Sequence, residues 1–369
     1  MIFKIYYKKS SIRDRIKRTL LYYSKRIGAK KAWHKRHANV TKRHPEYEKS
    51  VGNATEKKHS EIWSFLDKRV PLSTLRICGN ISSIADPNII PEEIFQTDIE
   101  PSLNRYDEGH IFANKSLYNH WFNCGLFPVN VLHSVDGELM DGNLNHLNER
   151  EVLHLIKGLT YPVVFKPNIN SYGGEGVQFV EHMSTLQDLI QGEVNFVVQE
   201  KLKQHLLLEQ FHKQSINTVR VYLYKSVTDN HTHILNIAQR MGNGSSIDNV
   251  TAGGLVSYIT REGFLHGYAL DKYGGRYEKH PISGVTFDQK VPDFDQLKEV
   301  SLYVAQKLFH IRVVGLDLFY DQSGRWRPLE INTRGHSIRF AQYAGQPFFG
   351  EFTEEVIEYC KENHWALTV

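Results

Sequence analysis

The stretch LDLFYDQSGRWRPLEINTRG, residues 316–335, sets Asp317, Glu330 and Asn332 among apolar neighbours. The runs VVGLDLFY and RPLEIN flank a polar turn, DQSGRW, a pattern that predicts a β-hairpin. An unpaired buried carboxylate is costly, so acids in apolar strands need partners. Glu330 and Asn332 are two apart and face the same side of a strand. If Asp317 stands opposite Glu330, residues 322–325 form the loop, a common hairpin length. The opposed Cβ atoms then lie roughly 5 Å apart, and the carboxylates repel unless a cation sits between them. Two carboxylates and an amide, all oxygen donors, suit Mg²⁺, which also takes phosphate oxygens. Leu316, Leu318, Leu329 and Ile331 alternate onto the opposite face as anchors. The plainer reading is a solvated polar face on an edge hairpin.

A second stretch is YPVVFKPNINSYGGEGVQFV, residues 161–180. Lys166 ends an apolar strand, and Gly173, Gly174 and Gly176 follow before the next strand. Glycines let backbone N–H groups approach phosphate oxygens, and the lysine adds a point charge. No Gly-Lys-Ser/Thr opens a helix, so this is not a Walker A loop. The lysine precedes the loop, the reverse of the protein-kinase order, and no HRD or DFG set is present. Taken alone the loop is a weak signal, and a flexible hairpin with a chance lysine is the commoner reading of such a stretch. A third stretch, NFVVQEKL at 195–202, is an apolar strand ending in Gln199 and Glu200, where backbone groups can read an adenine edge and an acid can meet its amino group or ribose. Arg220, Arg240 and Arg334 complete the set; arginine holds carboxylate or phosphate bidentately, and surface salt bridges are the alternative for each. No GxSxG elbow, HExxH or histidine pair at metal-ligand spacing occurs, and His205 in KLKQHLL fits a place near a nucleotide or on the surface.

The elements that must position these groups can be read along the chain. Residues 1–45 form a basic arm and residues 46–115 mix short helical and strand patterns. From about 116 helices and strands alternate. KSLYNHWFNCGLF reads as a helix with Leu117, Trp121 and Leu126 on its apolar side, and VNVLHSVDGELMDG as a hairpin turning at DG. TVRVYLYKS, HILNIAQRM and GLVSYITREGFLHGYAL read as an antiparallel sheet, and DQLKEVSLYVAQKLF as an amphipathic helix. The fold class is therefore α+β or mixed α/β. We divide it into the arm (1–45), a leading region (46–115), a small subdomain with the Gly-rich loop (116–200) and a large one with the acidic hairpin (201–369).

With 41% hydrophobic and 23% charged residues over 369 positions, the chain is globular with ample core. Cys78, Cys124 and Cys360 are scattered and form no CxxC, which favours a reducing, cytoplasmic setting over a disulfide or zinc framework. No apolar run approaches the roughly 20 residues that span a bilayer. The net charge of +4 is uneven, because the arm holds 15 Lys and Arg against one acid, Asp14. In it Ile12, Ile16, Leu20, Tyr23 and Ile27 recur at helical spacing among basic residues. That pattern suits an anionic membrane surface, such as the inner face of a cell membrane, or a solvated helix packed on its own acidic body. Nucleic acid is the weakest partner, since no base-reading motif accompanies the charge.

The order of these pieces resembles the ATP-grasp enzymes: Lys115, then Lys166 before a Gly-rich loop, then VVQEKL, then GLDLF and LEIN. It is similar more narrowly to the sugar-transfer-associated ATP-grasp family found with polysaccharide biosynthesis, through NTVRV, RMGNG with DNVTAGG, HPISGV and LEINTRG. The resemblance covers roughly residues 90–350 and implies two subdomains clamping ATP. It implies Lys115 and Lys166 on the phosphates and the 173–176 loop over them. It implies Glu200, Lys201 and Leu202 at the adenine, with His205 nearby, and Asp317, Glu330 and Asn332 on two Mg²⁺ ions. Arg240 and Arg334, with Arg220, would hold the γ-phosphate and an acceptor carboxylate. Asn114 departs from the acid that often precedes the lysine in this family. The implied reaction is amide formation between a carboxylate and an amine through an acylphosphate, on a cell-surface polysaccharide or its precursor. A kinase acting on a sugar or alcohol, and a non-catalytic nucleotide-binding protein, are the alternatives.

Overall fold

The computed structural model describes residues 11–122, 125–169, 176–244, 250 and 253–367. Two antiparallel sheets, each packed by helices, make a mixed α+β architecture. The smaller sheet holds β1 (Asn130–Val135), β2 (Glu138–Asp141), β3 (Val163–Pro167), β4 (Gln178–Val180) and β5 (Phe196–Glu200), in the order β2-β1-β5-β3-β4. The DG turn is where the sequence places it: Val135 pairs with Glu138, and Asp136 and Gly137 both take positive φ. A two-residue hairpin loop of the primed type needs that backbone.

Seven helices of nine or more residues are found among the described residues: α1 (Ile12–Arg43), α2 (Asn53–Trp63), α3 (Ser73–Ser82), α4 (Glu149–Lys157), α5 (Met183–Gly192), α6 (Phe294–Gln306) and α7 (Thr353–Asn363). α4 starts at a reciprocal cap, Asn148 with Glu151, which satisfies two otherwise orphaned N–H groups. Val152 and Ile156 of α4 and Leu186 of α5 pack with Val163, Phe165, Phe196 and Val198 of the small sheet. Period-two alternation on β3 then turns Lys166 to the opposite face.

The larger sheet runs β10-β9-β8-β7-β6-β11-β12, all antiparallel. Its strands are β6 (Thr218–Lys225), β7 (Thr232–Met241), β8 (Leu255–Tyr258), β9 (Ala269–Leu270), β10 (Arg276–Tyr277), β11 (Val313–Tyr320) and β12 (Trp326–Asn332). Val219, Val221, Leu223, Leu316, Leu318 and Ile331 form one face with Leu297 and Val304 of α6. On the other face Tyr222 and Tyr224 pack with Trp63, Phe95, Phe348 and Val356.

Four expectations change. Residues 46–115 contain no strand among the described residues. Apolar residues such as Ile94, Phe95, Ile99 and Leu103 follow the helical period and close one core with α7. The helix read over 115–127 is a tight turn, Lys115–Leu117, followed by a five-residue helix, Tyr118–Phe122. Its buried residues are Tyr118 and Phe122 rather than Leu117 and Trp121, because Ser116 is tied down by Asn168 and fixes the rotation. The hairpin loop has five residues, 321–325, since β12 bulges opposite Asp317 and Leu318 and so absorbs Leu329. Finally, the row of α1 that packs on the body is Tyr22, Arg26, Ala29, Trp33, His37 and Val40, not the row beginning at Ile12.

Candidate functional site

Asp317 and Glu330 are direct partners across β11 and β12, the pairing expected from the sequence. Arg220 pairs with Asp317 across β6 and β11, and Arg240 stands opposite Thr218, two residues from Arg220. Period-two alternation therefore sets Arg220, Arg240, Asp317, Glu330 and Asn332 on one face of the large sheet. Asp317 is only 5% exposed. The Arg220 guanidinium donates to both its oxygens, to Oδ1 from Nε and to Oδ2 from Nη2 at 2.7 Å. Arg240 Nη1 adds contacts of 3.2 and 3.4 Å, and Asn332 Nδ2 lies 3.5 Å from Oδ2. Burial raises the Asp317 pKa, but the two arginines outweigh it and hold the carboxyl below its ordinary value. Burial likewise opposes the Arg220 charge, and Asp317 more than restores it.

Glu330 is held from the other side of the cleft. Lys115 Nζ lies 2.9 Å from its Oε1 and is almost fully buried. The Lys115 segment is docked on the small sheet: its N–H donates to the Asn168 carbonyl, its own carbonyl accepts from Asn130 Nδ2, and the Ser116 N–H donates to Asn168 Oδ1. Lys166, 8% exposed on β3, faces the same cleft. Burial, and then the Lys115 charge, push its pKa down to about 7, with Glu330 pulling the other way. The two opposed carboxylates are thus compensated by three side-chain cations, Arg220, Arg240 and Lys115.

Gly176 closes the start of β4 against β3. Its φ is +75°, and a Cβ there would stand 2.7 Å from Pro167 Cγ, so only glycine fits. Gly173 and Gly174 lie outside the described residues. Glu200 ends β5 with its Oε1 accepting from the Val129 N–H and from Arg327 Nη2, both at 3.0 Å. Lys201 is exposed with its ammonium 5.3 Å from the Phe179 ring centre, and Leu202 is half-buried beside it. His205 caps the short turn Leu206–Glu209, its Nδ1 accepting from the Leu207 N–H, and its ring packs on Tyr320. Arg334 is exposed just after β12.

Three groups escaped the sequence reading. Arg327, on β12, donates to the Leu126 and Phe127 carbonyls and to Glu200, so it pins the end of the small sheet to the acidic hairpin. Its signal was an arginine inside the apolar run that carries Glu330. His110 Nδ1 lies 2.9 Å from Thr333 Oγ1, and burial followed by the Arg334 charge lowers its pKa. His336 bridges Glu100 and the Asn332 carbonyl. Neither histidine stands in a pattern that the sequence could reveal.

Among the described residues no three His, Cys, Asp or Glu side chains converge as a metal cage. The residue types on the hairpin, two carboxylates in direct register and an amide, fit a hard cation, but here Asp317 accepts from Arg220, Arg240 and Asn332 Nδ2 and Glu330 pairs with Lys115, so a cation would have to displace these partners.

The family model for sugar-transfer associated ATP-grasp proteins matches residues 95–356. No curated protein matches the sequence. Similar solved structures include N5-carboxyaminoimidazole synthetase from Staphylococcus aureus, complexed with ADP, at 12% identity, TM-score 0.38, covering 66% of this chain and 51% of that one. The ATP-grasp ligase PsnB, complexed with a minimal precursor, is 13% identical with TM-score 0.39, covering 69% and 62%. Biotin carboxylase from Campylobacter jejuni, in a β,γ-ATP complex, is 12% identical with TM-score 0.40, covering 68% and 46%. The chain spans about half the length of the first of these structures. On the family match, which takes in every described residue of the cleft, this chain belongs to the sugar-transfer associated ATP-grasp family.

Proposed function

We propose that this ATP-grasp protein is an ADP-forming ligase that joins a carboxylate to an amine. The observation that carries the reading is the pairing of Asp317 with Glu330 on one sheet while Lys115 and Lys166 reach the same cleft from the other. The lysines would hold ATP phosphates, and the backbone from Glu200 to Leu202 would meet the adenine. Asp317, Glu330 and Asn332 would hold two Mg²⁺ ions, which neutralise phosphate charge when bound. Arg240 and Arg334 would orient the acceptor carboxylate against the γ-phosphate, with Arg220 behind Arg240 and His110 beside Arg334. Positioning and charge neutralisation supply most of the catalysis in phosphoryl transfer, which fits a site rich in cations. The carboxylate attacks the γ-phosphate and releases ADP; the amine then displaces phosphate from the acylphosphate. We assign the carboxylate to a polysaccharide or its precursor. We place the reaction in the cytoplasm, where the buried free thiols of Cys78 and Cys360 stay reduced. The small subdomain up to residue 200 would close over nucleotide held on the large one.

The test is ADP release across pools of carboxylates and amines, with hydroxylamine added to intercept the acylphosphate. A hydroxamate formed at the rate of ADP release supports the ligase. A phosphorylated sugar without hydroxamate reassigns the chain as a kinase, and nucleotide binding without turnover on any acceptor reassigns it as non-catalytic.

A further inference from the structure

α1 has two different apolar rows. The row from Tyr22 to Val40 is buried against the body. Arg26 fastens it, with its guanidinium on Asp98 and, at 2.9 Å, on Asp67; Lys30 reaches Asp67 at 2.6 Å. Tyr22 also donates to Asp98, and Trp33 Nε1 donates to Gln96. The helix is therefore fixed in orientation. The second row is open: Ile12 is 73% exposed, Ile16 52%, Leu20 66% and Ile27 65%. At about 100° per residue these four share one stripe, roughly a third of a turn from the buried row. Arg13, Lys17, Lys25, Lys31 and Lys35 stand exposed along the same helix, and Asp14 is its only acid.

We infer that this stripe of α1 docks on an anionic lipid bilayer. Single exposed apolar residues need no explanation, but four in register on a helix with a basic flank do. A helix lying in the bilayer interface places such a stripe below the headgroups and its basic flank among the anionic phosphates. A second copy of the chain would bring the same positive face against itself and leave that charge uncompensated. A nucleic-acid backbone would neutralise the charge but bury none of the stripe. No helix among the described residues is long and apolar enough to cross a membrane, so the contact is peripheral.

The full chain is to be sedimented with vesicles of phosphatidylcholine and with vesicles of phosphatidylcholine mixed with phosphatidylglycerol. Binding is expected to the anionic vesicles only. Ile16→Glu/Leu20→Glu should weaken it by about 100-fold or more, from the lost apolar burial. Arg13→Gln/Lys17→Gln should weaken it by about 25-fold, roughly fivefold per charge. Both variants should keep the parent's thermal unfolding midpoint and nucleotide binding, because these positions lie outside the core and the cleft. Equal binding of parent and Ile16→Glu/Leu20→Glu to anionic vesicles overturns the inference. So does a parent that stays in solution, one that dimerises through this face, or one that prefers a DNA duplex to the anionic vesicles. Each readout is independent of turnover, so failure of the ligase reading leaves the test intact.

Discussion

The cleanest quantitative handle on the cleft is the proton on Lys166. Its ammonium is buried beside Lys115, and its pKa falls to about 7 from an ordinary value of 10.5. At pH 8, one unit above that value, only about a tenth of the chains carry the charge. A polyphosphate arriving within contact distance favours the charged form and returns the pKa toward its solution range. Nucleotide binding at pH 8 should therefore take up close to one proton. Affinity should fall by nearly tenfold per unit between pH 8 and 9, or about 1.4 kcal/mol. The phosphate groups are already ionised there, since their last pKa is about 6. Titration calorimetry in buffers of different ionisation enthalpy reads the proton count directly, and Lys166→Met should abolish it. In the ligand-free chain the unfolded state binds the extra proton between the two pKa values. Stability relative to Lys166→Met should then rise with pH from about 7 to about 10 by up to 1.4 kcal/mol per unit. A buffer-independent enthalpy in the parent, or equal proton uptake in Lys166→Met, refutes the placement of this lysine against the phosphates.

Three further outcomes test the charge pairs. Asp317→Ala leaves Arg220 and Arg240 facing each other without an anion and should cost about 3–5 kcal/mol in urea unfolding. Asp317→Asn and Glu330→Gln, which keep shape, should lose ADP release by at least about 100-fold, the scale of removing one transition-state partner. Asp98→Ala strips the fully buried anion from Arg26, Tyr22 and His364, and should also cost about 3–5 kcal/mol. Limited proteolysis should then cut within α1 faster than elsewhere, whereas a uniform rise in cleavage would show that the helix is not fastened there.

The parts of this fold legible in the sequence are those where a local rule decides. The β1–β2 hairpin was readable because Asp136–Gly137 admits few other backbones. The large-sheet strands other than the two-residue β10, and α6, were readable because one period runs through each segment, whereas two residues carry no period. The Asp317–Glu330 pairing followed from strand length and turn chemistry, yet the bulge at Leu329 that adjusts the loop left no local mark. Residues 46–115 misled because short apolar runs carry too few turns to tell period two from period 3.6. The same holds for Lys115–Phe122, whose rotation is set by Asn168 some fifty residues away, a contact with no sequence signature. Arg327 illustrates the other kind of loss. An arginine in an apolar strand flags a buried partner, but not that the partners are Glu200 and two carbonyls at the join between the sheets.

The pairing of charges bears on how such a cleft can stay folded before it binds anything. Two carboxylates in direct register repel, and each is costly to bury alone. Here Asp317 is neutralised from its own sheet by Arg220 and Arg240, while Glu330 is neutralised from across the cleft by Lys115. The asymmetry has a consequence. The Asp317 pairs are made within one sheet and would hold if the two sheets moved apart. The Glu330 pair spans the segment that rides on the small sheet, so opening the cleft must break it or carry Lys115 with it. Arg327 on Glu200 opposes that opening at the other end of β12. Removing the hinge contact by Arg327→Met should therefore loosen the cleft without touching the acids. The expected signature is a weaker affinity for nucleotide, with Asp317-dependent stability unchanged in a double-mutant cycle with Asp317→Ala. A coupling energy above about 0.5 kcal/mol between the two substitutions would show instead that hinge and acids form one network.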